Sequence, residues 1–273
     1  MLKSFLFCCL SAAMLLGPNL FGKPNSTASF HFKMRRGEAL QGDTKAQYDL
    51  GVFYLTGEQG VEKDLDQAIY WLRKAADQGV TDAQSKLGEC YEKGEGVEKD
   101  IRQAFNWYRK AALLENSQAQ YKLGEYYEKG KGVEKDIKQA FNWYRKAALL
   151  DHAQAQYKLG ECYYSGEGVK KNLKQAAAWF RKAARQGNAG AQYKLGVCCE
   201  KGEGVKKDMK QAVNWYRQAA DQADVNAQYK LGECYEKGNG VKKDMKLAAL
   251  LYQSAADQGY EDAKKALERL NGN

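Results

Sequence analysis

AQYKLGEYYEKGKGVEKDIKQAFNWYRKAALLDH, residues 119–152, holds nearly all of one period of this chain. Its Leu-Gly pair, Leu123-Gly124, returns at Leu50-Gly51, Leu87-Gly88, Leu159-Gly160, Leu195-Gly196 and Leu231-Gly232. The first step is 37 residues and the other four are 36. A fixed period of this length means stacked supersecondary units, each burying its apolar face against its neighbours. Within the stretch, Ala119, Leu123 and Tyr127 fall at i, i+4 and i+8, so a first helix is expected over about 119–129. Gly130 should end it in the left-handed conformation, and Gly132 should let the chain reverse.

Asp136 is placed as the N-cap of a second helix, with Gln139 three residues on to complete a capping box. The pattern recurs at Asp64/Gln67, Asp100/Gln103, Asn172/Gln175 and Asp208/Gln211; Asp244 is followed by Leu247 instead. Ile137, Ala140, Trp143, Tyr144 and Ala147 form the apolar face. Trp71, Trp107, Trp143, Trp179 and Trp215 share one position and are expected in the core, where truncation would cost about 3–5 kcal/mol. The fold class is therefore all-α, a solenoid of helix-turn-helix units. Residues 44–262 hold six units. Residues 23–43 form an N-terminal segment and capping half-repeat, and 263–273 a C-terminal capping helix with Ala263, Ala266, Leu267 and Leu270 inward. The first unit absorbs its extra residue in the turn Gly57-Glu58-Gln59-Gly60.

The N-terminus reads differently. Lys3 precedes an apolar run, residues 5–16, then Gly17 and Pro18. The run is too short to span a bilayer and has the layout of a secretory signal peptide, taken as 1–22, with cleavage after Gly22 or after Ala28. The expected location is periplasmic or secreted. Cys8 and Cys9 lie in this run. Of the other five cysteines, Cys90, Cys162, Cys198 and Cys234 occupy one repeat position, about one repeat apart (on the order of 10 Å), too far for disulfides. They read as small buried apolar residues, and Cys199 as the one free to react.

Formal net charge is +9 over 273 residues. The fourth unit, 155–190, is the basic peak, with seven basic and two acidic side chains. That peak fits a solvated surface, or a patch around Lys170 and Lys171 for an anionic polymer.

Catalytic and metal chemistry find little to work with. The two histidines, His31 and His152, have no cysteine or acidic cluster at metal spacing, so no metal or cofactor is expected. His31 falls near the N-terminus and His152 in a loop after a second helix. Ser85, Ser117, Ser165 and Ser254 lack a lysine three residues on, and K-T-G is missing, which argues against a serine β-lactamase. The Gly-x-Gly turns follow helices and repeat, so they are structural and not phosphate loops.

The unit A-x3-LG-x2-Y-x2-G-x-GV-x2-D-x3-A-x2-WY-x-KAA resembles the Sel1-like repeat, a relative of the tetratricopeptide repeat, over about 44–270. The resemblance implies a right-handed, tetratricopeptide-like superhelix and a scaffold or adaptor role, in exported bacterial members tied to the envelope or to host interaction. A cysteine-rich branch of the family joins the end of the second helix to the next first helix by a disulfide. Some of its members are assigned penicillin binding or weak β-lactamase activity, the alternative function here. This chain has Ala76, Ala112, Ala148, Ala184 and Ala220 against Gln84, Gln120, Gln156, Gln192 and Gln228 at those sites, so the staple is missing.

In tetratricopeptide-like arrays the first helix lines the concave surface. By that resemblance a groove would carry Tyr48, Ser85, Tyr121, Tyr157, Tyr193 and Tyr229, beside Val52, Glu89, Glu125, Glu161, Val197 and Glu233. Further along stand Glu92, Glu128, Tyr164, Glu200 and Glu236, then Lys93, Lys129, Ser165, Lys201 and Lys237. The residues chosen for binding a peptide or partner protein are Tyr121, Tyr157, Tyr193, Tyr229, Glu125, Glu161 and Glu233. Tyrosine offers contact area at low entropy cost together with a polar tip. The alternative is that these tyrosines pack between adjacent first helices. Export and alternating charge argue against nucleic acid, and no integral membrane segment is expected beyond residue 22.

Overall fold

A computed structural model describes residues 26–271. The expected signal segment lies outside the described residues. Fourteen α-helices and no strand occur among them, so the all-α solenoid expected from the period is the fold. The described residues divide into two compact units, 26–83 and 84–271, with the boundary inside one helix.

The first unit holds α1 (Ser26–Leu40), α2 (Thr44–Thr56), α3 (Leu65–Asp77) and the start of α4 (Thr81–Lys93). Helix α2 packs against both α1 and α3. Ala39, Ala46, Leu50, Phe53 and Trp71 form its core. His31 lies within α1, its ring edge-on to Phe53 at 5.7 Å.

The second unit continues with α5 (Ile101–Leu113), α6 (Ser117–Lys129), α7 (Ile137–Leu149), α8 (Ala153–Ser165) and α9 (Leu173–Arg185). Then come α10 (Ala189–Lys201), α11 (Met209–Ala220), α12 (Val225–Lys237), α13 (Met245–Asp257) and α14 (Glu261–Asn271). Each helix from α6 to α13 packs against the helix before it and the helix after it. This nearest-neighbour arrangement defines a solenoid.

The caps are built as the sequence indicates. Asp136 accepts from the Gln139 N–H at 3.0 Å, and Asp64, Asp100, Asn172, Asp208 and Asp244 do the same work for their helices. The glutamine's answering bond takes a different form at Gln211, whose amide donates to the Asp208 side chain at 2.9 Å. Gly130 has φ +67°, the left-handed C-cap of α6. Gly132 (φ +64°) has a second reason to be glycine. A Cβ there would meet the Ile101 backbone of the preceding unit at 3.1–3.3 Å.

First helices begin two residues earlier than periodicity alone suggested. Asn116, His152, Asn188 and Asp224 cap α6, α8, α10 and α12 by accepting from the N–H of Ala119, Ala155, Ala191 and Ala227. His152 is thus a capping residue and not a passive loop residue. Its Nδ1 accepts at 3.2 Å, which leaves Nε2–H to donate to Gln118 at 2.9 Å. Its ring stacks on Tyr121 with centroids 4.9 Å apart.

The core position in the second helix is one residue away from the one expected. The tryptophans are half-buried, apart from Trp71 at 6 % exposure. The fully buried residue is the next one: Leu72, Tyr108, Tyr144, Phe180, Tyr216 and Tyr252. Successive helical residues point about 100° apart, so only one of an adjacent aromatic pair can face straight inward. The tryptophans flank it, and Lys110, Lys146 and Lys182 lie 4.0–4.3 Å over the rings of Trp107, Trp143 and Trp179. These rings cover the flank of the core and do not fill its centre.

The same geometry accounts for the glycine of Leu-Gly. A Cβ on Gly88, Gly160, Gly196 or Gly232 would sit 2.5–2.8 Å from the ring of Tyr108, Phe180, Tyr216 or Tyr252. Helix-interior glycine costs about 1 kcal/mol relative to alanine. Here the loss is offset by seating an aromatic ring directly on the helix backbone.

No disulfide occurs among the described cysteines. Where the cysteine-rich relatives would place a staple, a hydrogen bond stands instead. The Gln120, Gln156 and Gln192 amides donate to the carbonyls of Ala112, Ala148 and Ala184 at 3.1–3.2 Å. The Oε1 atoms of Gln156, Gln192 and Gln228 accept in turn from Gln186, Gln222 and Gln258 at 2.8 Å. This ladder satisfies polar groups that are nearly fully buried, as burial demands, except the Oε1 of Gln120, which has no partner.

Candidate functional site: a tyrosine and carboxylate face

Tyr121, Tyr157, Tyr193 and Tyr229 stand at the same position on α6, α8, α10 and α12, and all four are half-buried. Each leans on the buried aromatic of its own unit. Tyr121 tilts against Tyr144 at 5.8 Å, Tyr157 against Phe180 at 6.0 Å, Tyr193 against Tyr216 at 6.0 Å and Tyr229 against Tyr252 at 5.5 Å. Packing therefore holds one side of each ring, and Tyr121 and Tyr229 have a second aromatic neighbour in His152 and Tyr260 respectively. Burial pushes the Tyr121 hydroxyl up to about 12, with Glu125, Glu128 and Glu161 adding to the shift. Burial raises Tyr157, Tyr193 and Tyr229 as well. All four remain neutral donors at physiological pH.

The carboxylates chosen from the sequence sit one turn along and are already engaged. Glu125 pairs with Lys122 and Lys129 at 3.6 and 3.1 Å. Glu161 accepts from the Tyr157 hydroxyl at 2.7 Å and lies 3.8 Å from Lys158. Glu233 binds Lys230 at 2.8 Å and Lys237 at 2.9 Å. Burial alone would raise the Glu233 carboxyl, but the bonds and charges of these two lysines outweigh it and hold it below the usual range. Half-exposed pairs of this kind contribute little stability, and their main effect is to fix where charge is displayed.

The next column has a role that periodicity does not reveal. Glu92, Glu128, Glu200 and Glu236 accept from the hydroxyls of the buried Tyr108, Tyr144, Tyr216 and Tyr252 at 2.5–3.1 Å. They satisfy the one polar atom of each core tyrosine, as a buried hydroxyl requires. The sequence carries the signal in its exceptions. Where the core residue is Phe180 the glutamate is replaced by Tyr164, and where it is Leu72 by Leu55. With no hydroxyl to satisfy, the carboxylate disappears.

Lysines join one unit to the next. Lys122 reaches back to Glu92 at 3.1 Å, Lys158 to Glu128 at 3.2 Å and Lys230 to Glu200 at 4.0 Å. Burial would raise Glu92, but Lys122, Tyr108 and Lys131 together hold it below its ordinary value. At the far end Arg269 of α14 binds Glu236 at 2.8 Å.

The five described cysteines are free thiols; Cys90, Cys198, Cys199 and Cys234 are buried and Cys162 is half-buried. Burial pushes Cys90, Cys198 and Cys234 up to about 11 and Cys162 to about 12. Cys199, expected to be reactive, is buried at 2 % exposure and raised too, because it faces the core between helices. Reactive thiols need lowered values and access. Among the described residues no group of three or more His, Cys, Asp or Glu could hold a metal ion, and no helix is long and apolar enough to cross a membrane.

Comparison with known proteins follows the same lines. The Sel1 repeat family model matches residues 44–80, 81–116, 117–152, 153–188, 189–224 and 225–260. Among solved structures, the chain is similar to a protective antigen of uropathogenic Escherichia coli strains with an SLR fold. Identity there is 38% and the TM-score 0.81, covering 86% of this chain and 50% of that one. It is similar also to a Sel1 repeat protein from Oxalobacter formigenes, at 38% identity and TM-score 0.74, covering 81% and 86%. A curated relative, the ERAD-associated E3 ubiquitin-protein ligase component HRD3A of Arabidopsis thaliana, is 35% identical over 63 residues, 23% of this chain and 9% of the relative. The chitin synthase regulator SKT5 of Saccharomyces cerevisiae is 43% identical over 58 residues, 21% of this chain and 8% of the relative. The chain thus spans less than a tenth of the length of either curated relative, and half the length of the antigen.

Proposed function

This chain belongs to the Sel1 repeat family, and from that membership we propose that it is an exported, non-catalytic scaffold that holds a peptide or partner protein on its first-helix face. The observation that carries the reading is the row of half-exposed tyrosines on α6, α8, α10 and α12, each held rigid by the aromatic beneath it. Pre-ordered aromatic rings lose little entropy on binding. The flanking Glu–Lys pairs display charge of both signs at fixed spacing, which suits register and selectivity more than raw affinity. A component of a ligase and a regulator of a synthase among the relatives fit an adaptor, and the short share of each that is matched limits the likeness to the repeats themselves. Export rests on the layout of residues 1–22, outside the described residues, and places the work in the periplasm or beyond.

The test is capture of partners from the native cell with and without Tyr157→Ser and Tyr193→Ser together. Serine already stands at this position as Ser85, so the substitution is one the repeat accommodates. Loss of the captured partner, with the helical circular dichroism intact, is the expected result. Undiminished capture would remove the face from consideration.

A further inference from the structure

We propose that Lys194, on α10, is a docking point for a carboxylate side chain of an acidic partner segment lying along the tyrosine face. The proposal rests on the scaffold reading above and names the chemistry of the partner.

It starts from a break in an otherwise regular ladder. At the position before Leu-Gly, Lys122, Lys158 and Lys230 each meet two carboxylates. One is three residues on in the same helix (Glu125, Glu161, Glu233) and one belongs to the preceding unit (Glu92, Glu128, Glu200). Lys86, at the same position, pairs with Glu89 three residues on, and Lys194 is the fifth lysine of the column, with both partners replaced, by Val197 and Tyr164. No ion pair involves Lys194 among the described residues. Its ammonium lies 5.6 Å over the Tyr164 ring instead. The same Val197 deprives Lys201 of the bond that Lys129 and Lys237 make to Glu125 and Glu233.

Glutamate is absent at position 164 for a core reason, since Phe180 beneath it has no hydroxyl to satisfy. Val197 packs its side chain against the apolar core of this unit and carries no charge. The two losses together leave a half-buried lysine directly after Tyr193, just past the most basic unit. A cavity of about 240 Å3 opens there, lined in part by Glu128, Lys158, Glu161, Tyr164, Glu167 and Lys194. Its acidic members do not neutralise Lys194. Glu128 is held by Tyr144 and Lys158, Glu161 by Tyr157 and Lys158, and Glu167 stands exposed in the turn. A partner's Asp or Glu would supply the charge that Lys122, Lys158 and Lys230 obtain from the chain itself. A half-buried, charge-assisted bond of that kind is stronger than a neutral one.

The experiment pans a random dodecapeptide display library on the purified chain. The best peptide, and its version with acidic residues changed to Gln or Asn, are then titrated at two salt concentrations. Two variants remove the site by different routes. Lys194→Met keeps the aliphatic stem. The triple variant Tyr164→Glu, Phe180→Tyr, Val197→Glu copies the neighbouring repeats and gives Lys194 carboxylates of its own. The expected result is an acidic position in the selected peptides, with affinity falling at least tenfold in both variants and on Glu→Gln in the peptide, and weakening with salt. Binding that survives both variants but is lost with Tyr157→Ser and Tyr193→Ser overturns the carboxylate site and leaves the scaffold reading standing. Binding lost with Lys194→Met but indifferent to the tyrosines supports the site and overturns the tyrosine face. Failure to enrich any peptide overturns both.

Discussion

Replacing Gly160 by alanine puts a methyl group where the chain has left room only for a ring. The new Cβ would lie 2.6 Å from Cδ1 and Cε1 of Phe180. Carbon atoms in ordinary contact are about 3.5–4.0 Å apart, so the overlap is about 1 Å, with two atoms of a rigid ring. Phe180 is fully buried and cannot swing into solvent, so the helix pair must separate. Overpacking of this kind costs about 1–3 kcal/mol, against a gain of about 1 kcal/mol from replacing a helical glycine. Net destabilisation of up to about 2 kcal/mol is expected. The sharper test is the sign in a Phe180→Ala background. That substitution alone should cost about 3–5 kcal/mol. Once the ring is gone, only the propensity of about 1 kcal/mol remains, so Gly160→Ala should become stabilising. Urea unfolding of the four proteins gives the cycle, with equal slopes confirming that the array still unfolds in the same manner. A Gly160→Ala effect of the same sign in both backgrounds would refute the seating of aromatic on glycine as the reason for Leu-Gly.

Tyr144→Ala should cost about 3–5 kcal/mol and Trp143→Ala about half as much or less, since only Tyr144 is fully buried; equal losses in denaturant melts would return the tryptophan to the core. Leu150→Gln should stabilise by about 1 kcal/mol, because the buried Gln120 Oε1 has no partner and Gln186, Gln222 and Gln258 supply that bond in other units; an unchanged or lower melting temperature counts against the glutamine ladder. Burial lowers the His152 value below its ordinary one, so the unfolded chain binds the proton more readily and stability falls as pH drops through about 6.5 and below. Protonation removes the Nδ1 acceptor that caps α8, a loss of about 1 kcal/mol at most. His152→Asn, the residue found at positions 116 and 188, should flatten the stability profile between pH 7.5 and 5, and an identical profile would deny the cap.

Much of this fold can be read from the sequence because its determinants are local and repeated six times. Asp136 before an apolar run, or Gly130 after one, specifies a helix end whatever the rest of the chain does. The errors arose where one residue of register decides. Trp143 and Tyr144 are neighbours in sequence and about 100° apart on the helix, and composition alone favoured the larger ring. The capping role of His152 was hidden because Asp43, Asn116, Asn188 and Asp224 do this work in other units, and histidine is seldom counted among N-caps. The glutamates at 92, 128, 200 and 236 read as surface until their covariation with the core tyrosine is noticed. Phe180 with Tyr164, and Leu72 with Leu55, are the exceptions that disclose it. Cys199 stood out only by departing from a column of tyrosines, and departure from a pattern says nothing about access to solvent.

Everything functional depends on the first-helix tyrosine row being the surface that meets another molecule. A photo-crosslinking amino acid placed in turn at Tyr157, at Tyr193 and at Asn142, an exposed position on second helix α7, tests this in the native cell. Discrete adducts from positions 157 and 193, with none from 142, are the expected result. Adducts from 142 alone, or no adduct from either tyrosine position, would contradict it.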